Sequence, residues 1–171
     1  MNEVINTIKS RRAVRSFLPR PVEREKIDEI VEAGLYAPSG MNRQERAFIV
    51  ITDKETRDEV SRINASVMKS DRDPFYGAPV VIIVCTKKGS TNVQDGSAAI
   101  ENMLVAASSL GLSSCWVHRA KEEIESEWGR KMLEKLALPS DYEGIGNIAL
   151  GYSDVKAEAS PRKPGQVFFI Q

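Results

Sequence analysis

The run Val80-Val81-Ile82-Ile83-Val84-Cys85 constrains this chain more than any other segment. Its first five residues are β-branched, Gly77-Ala78-Pro79 precede it, and Thr86-Lys87-Lys88 follow it. β-branched side chains pack well on a pleated surface, and a bounded apolar run this short has the length of a strand rather than a core helix. A strand that is apolar at every position has no face to give to water. Both faces must be covered, so the chain has to build layers on either side of a central sheet.

The rest of the sequence supplies those layers. Val4, Ile5 and Ile8 sit at helical spacing within 3–10. Ile27, Ile30, Val31, Gly34 and Leu35 form one face of a helix over 23–36, which Ala37-Pro38-Ser39-Gly40 stops. Ala47 to Thr52 reads as a strand. Thr52 and Glu55 form a capping box for a helix with Val60, Ile63 and Val67 inward. Residues 93–110 predict a helix apolar on most of its circumference, with Gly111 after its end. Ser113 to His118 reads as a strand. A helix over 121–137 buries Ile124, Trp128, Leu133 and Leu136, and Ile145 to Gly151 is a further strand. After a polar arm, Val167 to Ile170 is a last apolar strand, whose free edge would invite aggregation unless another subunit paired with it. This order predicts one mixed α+β domain over 1–171, with a core to 160 and an arm over 161–171.

Charge excludes some partners. The chain has 171 residues, with 24 Lys+Arg against 24 Asp+Glu and one His, so its formal net charge is zero. No basic field exists for nucleic acid or an anionic membrane. No apolar run approaches the roughly 20 residues of a membrane helix, and the N-terminus has no apolar stretch ahead of its charges, so no signal peptide is expected. Two cysteines, Cys85 and Cys115, give no metal spacing and no disulfide framework, which fits a cytoplasmic protein without a metal.

Four constellations could carry chemistry. Arg11, Arg12 and Arg15 offer guanidinium forks suited to phosphate or carboxylate, although a basic stretch after a helix is also a common solvated face. Pro38-Ser39-Gly40-Met41-Asn42-Arg43-Gln44 combines a hydroxyl and two amides able to bond a heteroaromatic edge, in a composition that also suits a plain loop. Arg162 and Lys163 are pinned between Pro161 and Pro164. Ser114 to His118 ends a strand, where sheet proteins often line clefts. No GxGxxG and no GxxxxGK[ST] occurs, so a bound phosphate would be held by arginines. Asp95 and Glu101 lie six apart, off one helical face, and form no acid–base pair.

Together these segments resemble the nitroreductase family of FMN-dependent oxidoreductases. Ser10-Arg11-Arg12-Ala13-Val14-Arg15-Ser16-Phe17 is similar to the family's SRRSVRxF, and Ala37 to Gln44 to its APSxxNxQ. Gly77-Ala78-Pro79, Asp95 to Met103 and Gly111 to Trp116 also match. Ala149-Leu150-Gly151-Tyr152 followed by Pro161-Arg162-Lys163-Pro164 resembles the closing LGYP and RKP. The resemblance implies a three-layer sandwich with a central mixed sheet and a C-terminal strand exchanged within a homodimer. It implies FMN at the interface and NADH or NADPH as donor. The FMN would be held by Arg11, Arg12, Ala13, Arg15, Arg162 and Lys163, by Pro38, Ser39 and Asn42 of the other subunit, by Gly40 and Gln44, and by Cys115, Trp116, Val117, His118 and Gly151. No side chain need act as acid or base. The implied activity is hydride transfer through FMN to a nitroaromatic, a quinone or a similar small acceptor, by a ping-pong mechanism.

Two departures stand out. Glu45-Arg46 replace the aromatic residue that usually follows the glutamine, and residues 61–78 leave little room for a lid. The expected substrate wall is Met41, Phe75 and Tyr76. These departures keep a second reading open, a flavin-binding store or sensor with little turnover.

Overall fold

The computed structural model describes residues 2–171. Its strands are β1 (Arg46–Ile51), β2 (Val80–Lys87), β3 (Ser113–Val117) and β4 (Tyr142–Gly151), in the sheet order β1-β2-β4-β3. Its helices are α1 (Glu3–Ser10), α2 (Arg24–Leu35), α3 (Lys54–Val67), α4 (Asn92–Ser109), α5 (Ala120–Glu125) and α6 (Glu127–Lys135). The apolar run lies in β2, between β1 and β4, and no residue from Val80 to Cys85 is more than 2% exposed.

The pleat of β2 divides the core in two. Val80, Ile82 and Val84 pack with Ile148, Leu150 and residues of α2 and α4 on one face. Val81, Ile83 and Cys85 pack with Ala149, Val60, Phe75, Ile124 and Leu133 on the other. The three expected layers are therefore present. Burial pushes the Cys85 thiol up to about 12, so it is packing and not a nucleophile.

All three ladders are antiparallel, which corrects the expected mixed sheet. Among the described residues parallel pairing is confined to one bridge, Ala13 to Ser114, where the segment after α1 runs along the edge of β3. The apolar segment Val167–Ile170 forms no strand among the described residues, and its side chains are 72–101% exposed. A lone extended segment has no ladder without an edge to pair with, and this one does not return to its own sheet.

Local chemistry moves three boundaries. The cap of α3 is Asp53, whose carboxylate accepts from the Thr56 N–H at 2.8 Å, so the box at Thr52 is displaced by one residue. The buried face of α3 is Arg57, Val60, Ser61, Asn64 and Ala65, while Val67 is exposed. The helix turns this way because polar partners lie beneath it: Ser61 donates to Asp73 at 2.8 Å, and Arg57 donates to the Ala78 carbonyl at 3.1 Å. The helix expected over 121–137 breaks at Ser126, whose backbone is extended and whose Oγ accepts from the Gly129 N–H at 3.1 Å. Leu136 consequently falls outside α6 and is exposed. Gly129 makes the corner possible, since a Cβ there would lie 2.3 Å from the Glu123 carbonyl. Ser126→Ala is expected to cost about 1 kcal/mol, read from urea unfolding, because it removes that cap.

Helix α4 ends as expected. Gly111 takes φ +73°, its N–H donates to the Ser108 carbonyl at 3.2 Å, and the Leu112 N–H donates to the Ala107 carbonyl at 2.9 Å. This is the paired C-terminal closure that a left-handed glycine permits.

Candidate functional site

Arg11 and Arg12 line a cleft of about 180 Å³ with Ser10, Ser108, Ser113 and Ser114, and Val155 and Ala157 cross it. Arg12 Nη1 donates to the Lys9 and Arg11 carbonyls at 2.8 and 2.6 Å, which fixes its fork. The Nε atoms of both arginines are buried without a hydrogen-bond partner among the described residues. The nearest carboxylate oxygen to Arg11 Nε, on Glu101, stands at 3.6 Å, too long for a hydrogen bond. Unpaired guanidinium donors among four serines make a setting for an anion. Arg15 is exposed, and its field with that of Arg11 reaches Cys115, where burial still pushes the thiol up.

The 38–44 loop is built differently. Gly40 donates to Asp95 Oδ1 at 2.9 Å, and a Cβ at Gly40 would lie 2.3 Å from Thr91 Oγ1. Arg43 donates to Thr91 at 2.9 Å, and the Gln44 N–H donates to Ser39 Oγ at 3.0 Å. Met41, Asn42 and Gln44 all adopt positive φ, which folds the loop tightly and leaves Met41 82% exposed. Glu45 and Arg46, which stand where the family has an aromatic residue, are structural. Arg46 donates to the carbonyls of Leu35, Ala37 and Pro38 at 2.8–3.2 Å, and Glu45 pairs with Lys87 at 3.1 Å. These residues tie the loop to the end of α2 and to β2.

One chain does not bring the two groups together. The loop is held by Asp95 in the first turn of α4, and the arginine cleft is lined by Ser108 in its last turn. Thirteen steps along the helix separate them, roughly 20 Å of axial rise. They also sit at opposite edges of the sheet, one beside the start of β1 and the other beside β3.

β3 sends alternate side chains to opposite faces. Cys115 and Val117 point into the core with α5, so only their backbone can meet a ligand. Trp116 is 39% exposed and lies against Gly146, where a Cβ would be 2.2 Å from its Nε1. His118 is exposed. Gly151 ends β4 against Pro79 and is buried. Phe75 is fully buried with Val81 and Ile83, so it forms no substrate wall; the Asp73 carboxylate accepts from the Phe75 and Gly77 N–H groups and turns the ring inward. Tyr76 is partly exposed, and Arg162 and Lys163 lie on the exposed arm beyond Ala157.

The sequence reading missed a buried polar cluster behind His118. Asn64, Glu123 and Asn147 are at most 1% exposed. The only available signal was Asn147 inside an apolar strand. Burial pushes the Glu123 carboxyl up to about 8, against the two amide hydrogen bonds that favour its charged form. Among the described residues no group of three His, Cys, Asp or Glu could hold a metal, and no helix is long and apolar enough to cross a membrane.

The sequence model of the nitroreductase family matches residues 8–152. A crystal structure of a nitroreductase with bound FMN from Bacteroides fragilis superposes with a TM-score of 0.90 at 30% identity, covering 100% of both chains. A relative from Methanothermobacter thermautotrophicus, named as an NADH dehydrogenase/NAD(P)H nitroreductase, is 32% identical over 88% of this chain and 77% of its own. An FMN reductase [NAD(P)H] of Bacillus subtilis is 26% identical over 96% of this chain and 71% of its own.

Proposed function

This chain belongs to the nitroreductase family, and on that premise we propose that it is an NAD(P)H-dependent FMN oxidoreductase working as a homodimer. The observation that carries this reading is the Arg11–Arg12 cleft, whose buried Nε donors have no hydrogen-bond partner among the described residues. A phosphate satisfies them with charge-assisted bonds. Bound FMN supplies the hydride chemistry itself.

The chain's own residues bind and orient. Arg11, Arg12 and Arg15, with Arg162 and Lys163 of the arm, hold the phosphate, beside the Ala13 backbone. The separation of the two half-sites along α4 supports an interface site, in which the 38–44 loop of a second copy supplies Pro38, Ser39, Gly40, Asn42 and Gln44. The backbone of Cys115 to His118 would contribute to holding the ring, as would Gly151. Donors aimed at the ring's pyrimidine edge stabilise negative charge there. The exposed Val167–Ile170 segment pairs with the other subunit, which covers its apolar residues. The whole of 1–171 acts as one domain, in the cytoplasm. NADH or NADPH and then a nitroaromatic, quinone or similar acceptor use the same opening in turn, with Met41 and Tyr76 at its wall.

The purified protein is expected to be yellow, to elute as a dimer, and to oxidise NADH or NADPH faster when a quinone or nitroaromatic is added. Initial rates at several donor and acceptor concentrations should give parallel double-reciprocal lines. A protein that binds FMN without any flavin reduction by NADH or NADPH would instead be a flavin store or sensor.

A further inference from the structure

Behind the exit of β3, two amides and two acceptors form a closed square. Asn64 Nδ2 donates to the His118 carbonyl at 2.8 Å and to Glu123 Oε1. Asn147 Nδ2 donates to the same two oxygens, at 3.3 and 2.9 Å. The square joins α3, β4, α5 and the turn after β3. The residue after His118 is Arg119, which sits in the left-handed region at φ +82°. A non-glycine residue keeps that conformation only where its surroundings enforce it.

The square has a directional consequence. No cis peptide bond occurs among the described residues, and a trans peptide points its C=O and N–H in opposite directions. Anchoring the His118 carbonyl into the core therefore aims the Arg119 N–H out of it.

We propose that Glu123 is a positioning residue for the flavin: with Asn64 and Asn147 it locks the His118–Arg119 peptide so that the Arg119 N–H is held toward the ring of bound FMN. This rests on the reading that the end of β3 faces FMN. Glu123 faces Asn64 from α3, Asn147 from β4 and Cys85 from β2, with Glu122 beside it on α5; none of these is a cation. Its carboxyl, held up to about 8, is neutral at pH 7. Oε1 accepts both amide hydrogens, so the proton belongs on Oε2, which has no hydrogen-bond partner among the described residues. Ionisation puts a charge within the square and loads it with a buried anion.

The test uses the FMN-loaded dimer, with the flavin's visible circular dichroism and midpoint potential followed from pH 6 to 9. The wild type should show a change in the dichroism centred near pH 8. Glu123→Gln, which keeps the Oε1 acceptor but cannot ionise, should keep the wild-type pH 7 spectrum and lose that change. Asn64→Ala should alter the relative affinity for reduced and oxidised FMN at least tenfold, about 30 mV for a two-electron couple. The clamp's role is overturned if Asn64→Ala lowers the melting temperature yet leaves spectrum and potential as in wild type. A pH response shared by wild type and Glu123→Gln overturns it equally. If wild-type protein takes up no FMN, the oxidoreductase reading falls and the clamp with it, a result distinct from an FMN-loaded protein indifferent to the clamp.

Discussion

Arg12→Ala is expected to weaken FMN binding ten- to a hundredfold, and Arg162→Ala by a similar factor. Arg12 is held by two backbone carbonyls through Nη1 while its buried Nε has no partner, so its fork is set before a ligand arrives. Removing one charge-assisted hydrogen bond of this kind costs about 1.5–3 kcal/mol, which is that range in Kd. The proposed role of Arg162 needs the arm to bring it to the same place. Ala157 already lines the cleft, and five further residues span at most about 17 Å. If both cations meet one phosphate, the double substitution should lose less than the two single losses added together. Arg20→Ala is the control, since that guanidinium stacks on Tyr152 at 3.8 Å and pairs with Glu23 at 3.2 Å. Fluorescence titration of FMN into apoprotein reads all four variants. Unchanged affinity in both Arg12→Ala and Arg162→Ala would refute the phosphate assignment.

The parts of the fold legible in sequence were those where one strong local rule acts alone. Val80 to Cys85 admits only a strand covered on both sides, and Gly111 supplies the left-handed closure that an 18-residue helix needs. The rest depends on what lies across the structure. The face of α3 follows Asp73 and Glu123, which are distant in sequence from Ser61 and Asn64, so apolar periodicity alone chose a face that included Val67. The corner at Ser126 comes from a hydroxyl cap and a glycine pressed on a backbone, against a continuous helical pattern. Phe75 looks like a loop residue in sequence, yet Asp73 turns it inward.

The site was legible as residue types and not as an arrangement. The arginines and the 38–44 loop were found by chemistry, but their separation along α4 shows only in three dimensions. Glu45-Arg46, read from sequence as a departure near the ligand, proved to be ties that hold the loop. The square behind His118 draws on residues 64, 118, 123 and 147, with no spacing to betray it.

Glu123 ties the stability of the fold to pH. In the folded chain its carboxyl is held up to about 8, against an ordinary 4.5. Between those values the folded state keeps a proton that the unfolded chain has lost. Stability from this group is therefore complete below about pH 4.5, declines by roughly 1.4 kcal/mol per pH unit through the window, and is flat above about 8. The full decline is about 5 kcal/mol, a large part of a domain's usual 5–15 kcal/mol. Glu123→Gln has the same shape and no proton to lose. Its stability should match the wild type near pH 5 and exceed it by several kcal/mol at pH 8, because every other titrating group is common to both proteins. Urea unfolding at pH 5, 6.5 and 8 measures that gap directly. A gap that stays constant across the series would mean that the two amides alone hold Glu123 as a carboxylate at every pH tested. Its burial would then carry no proton linkage.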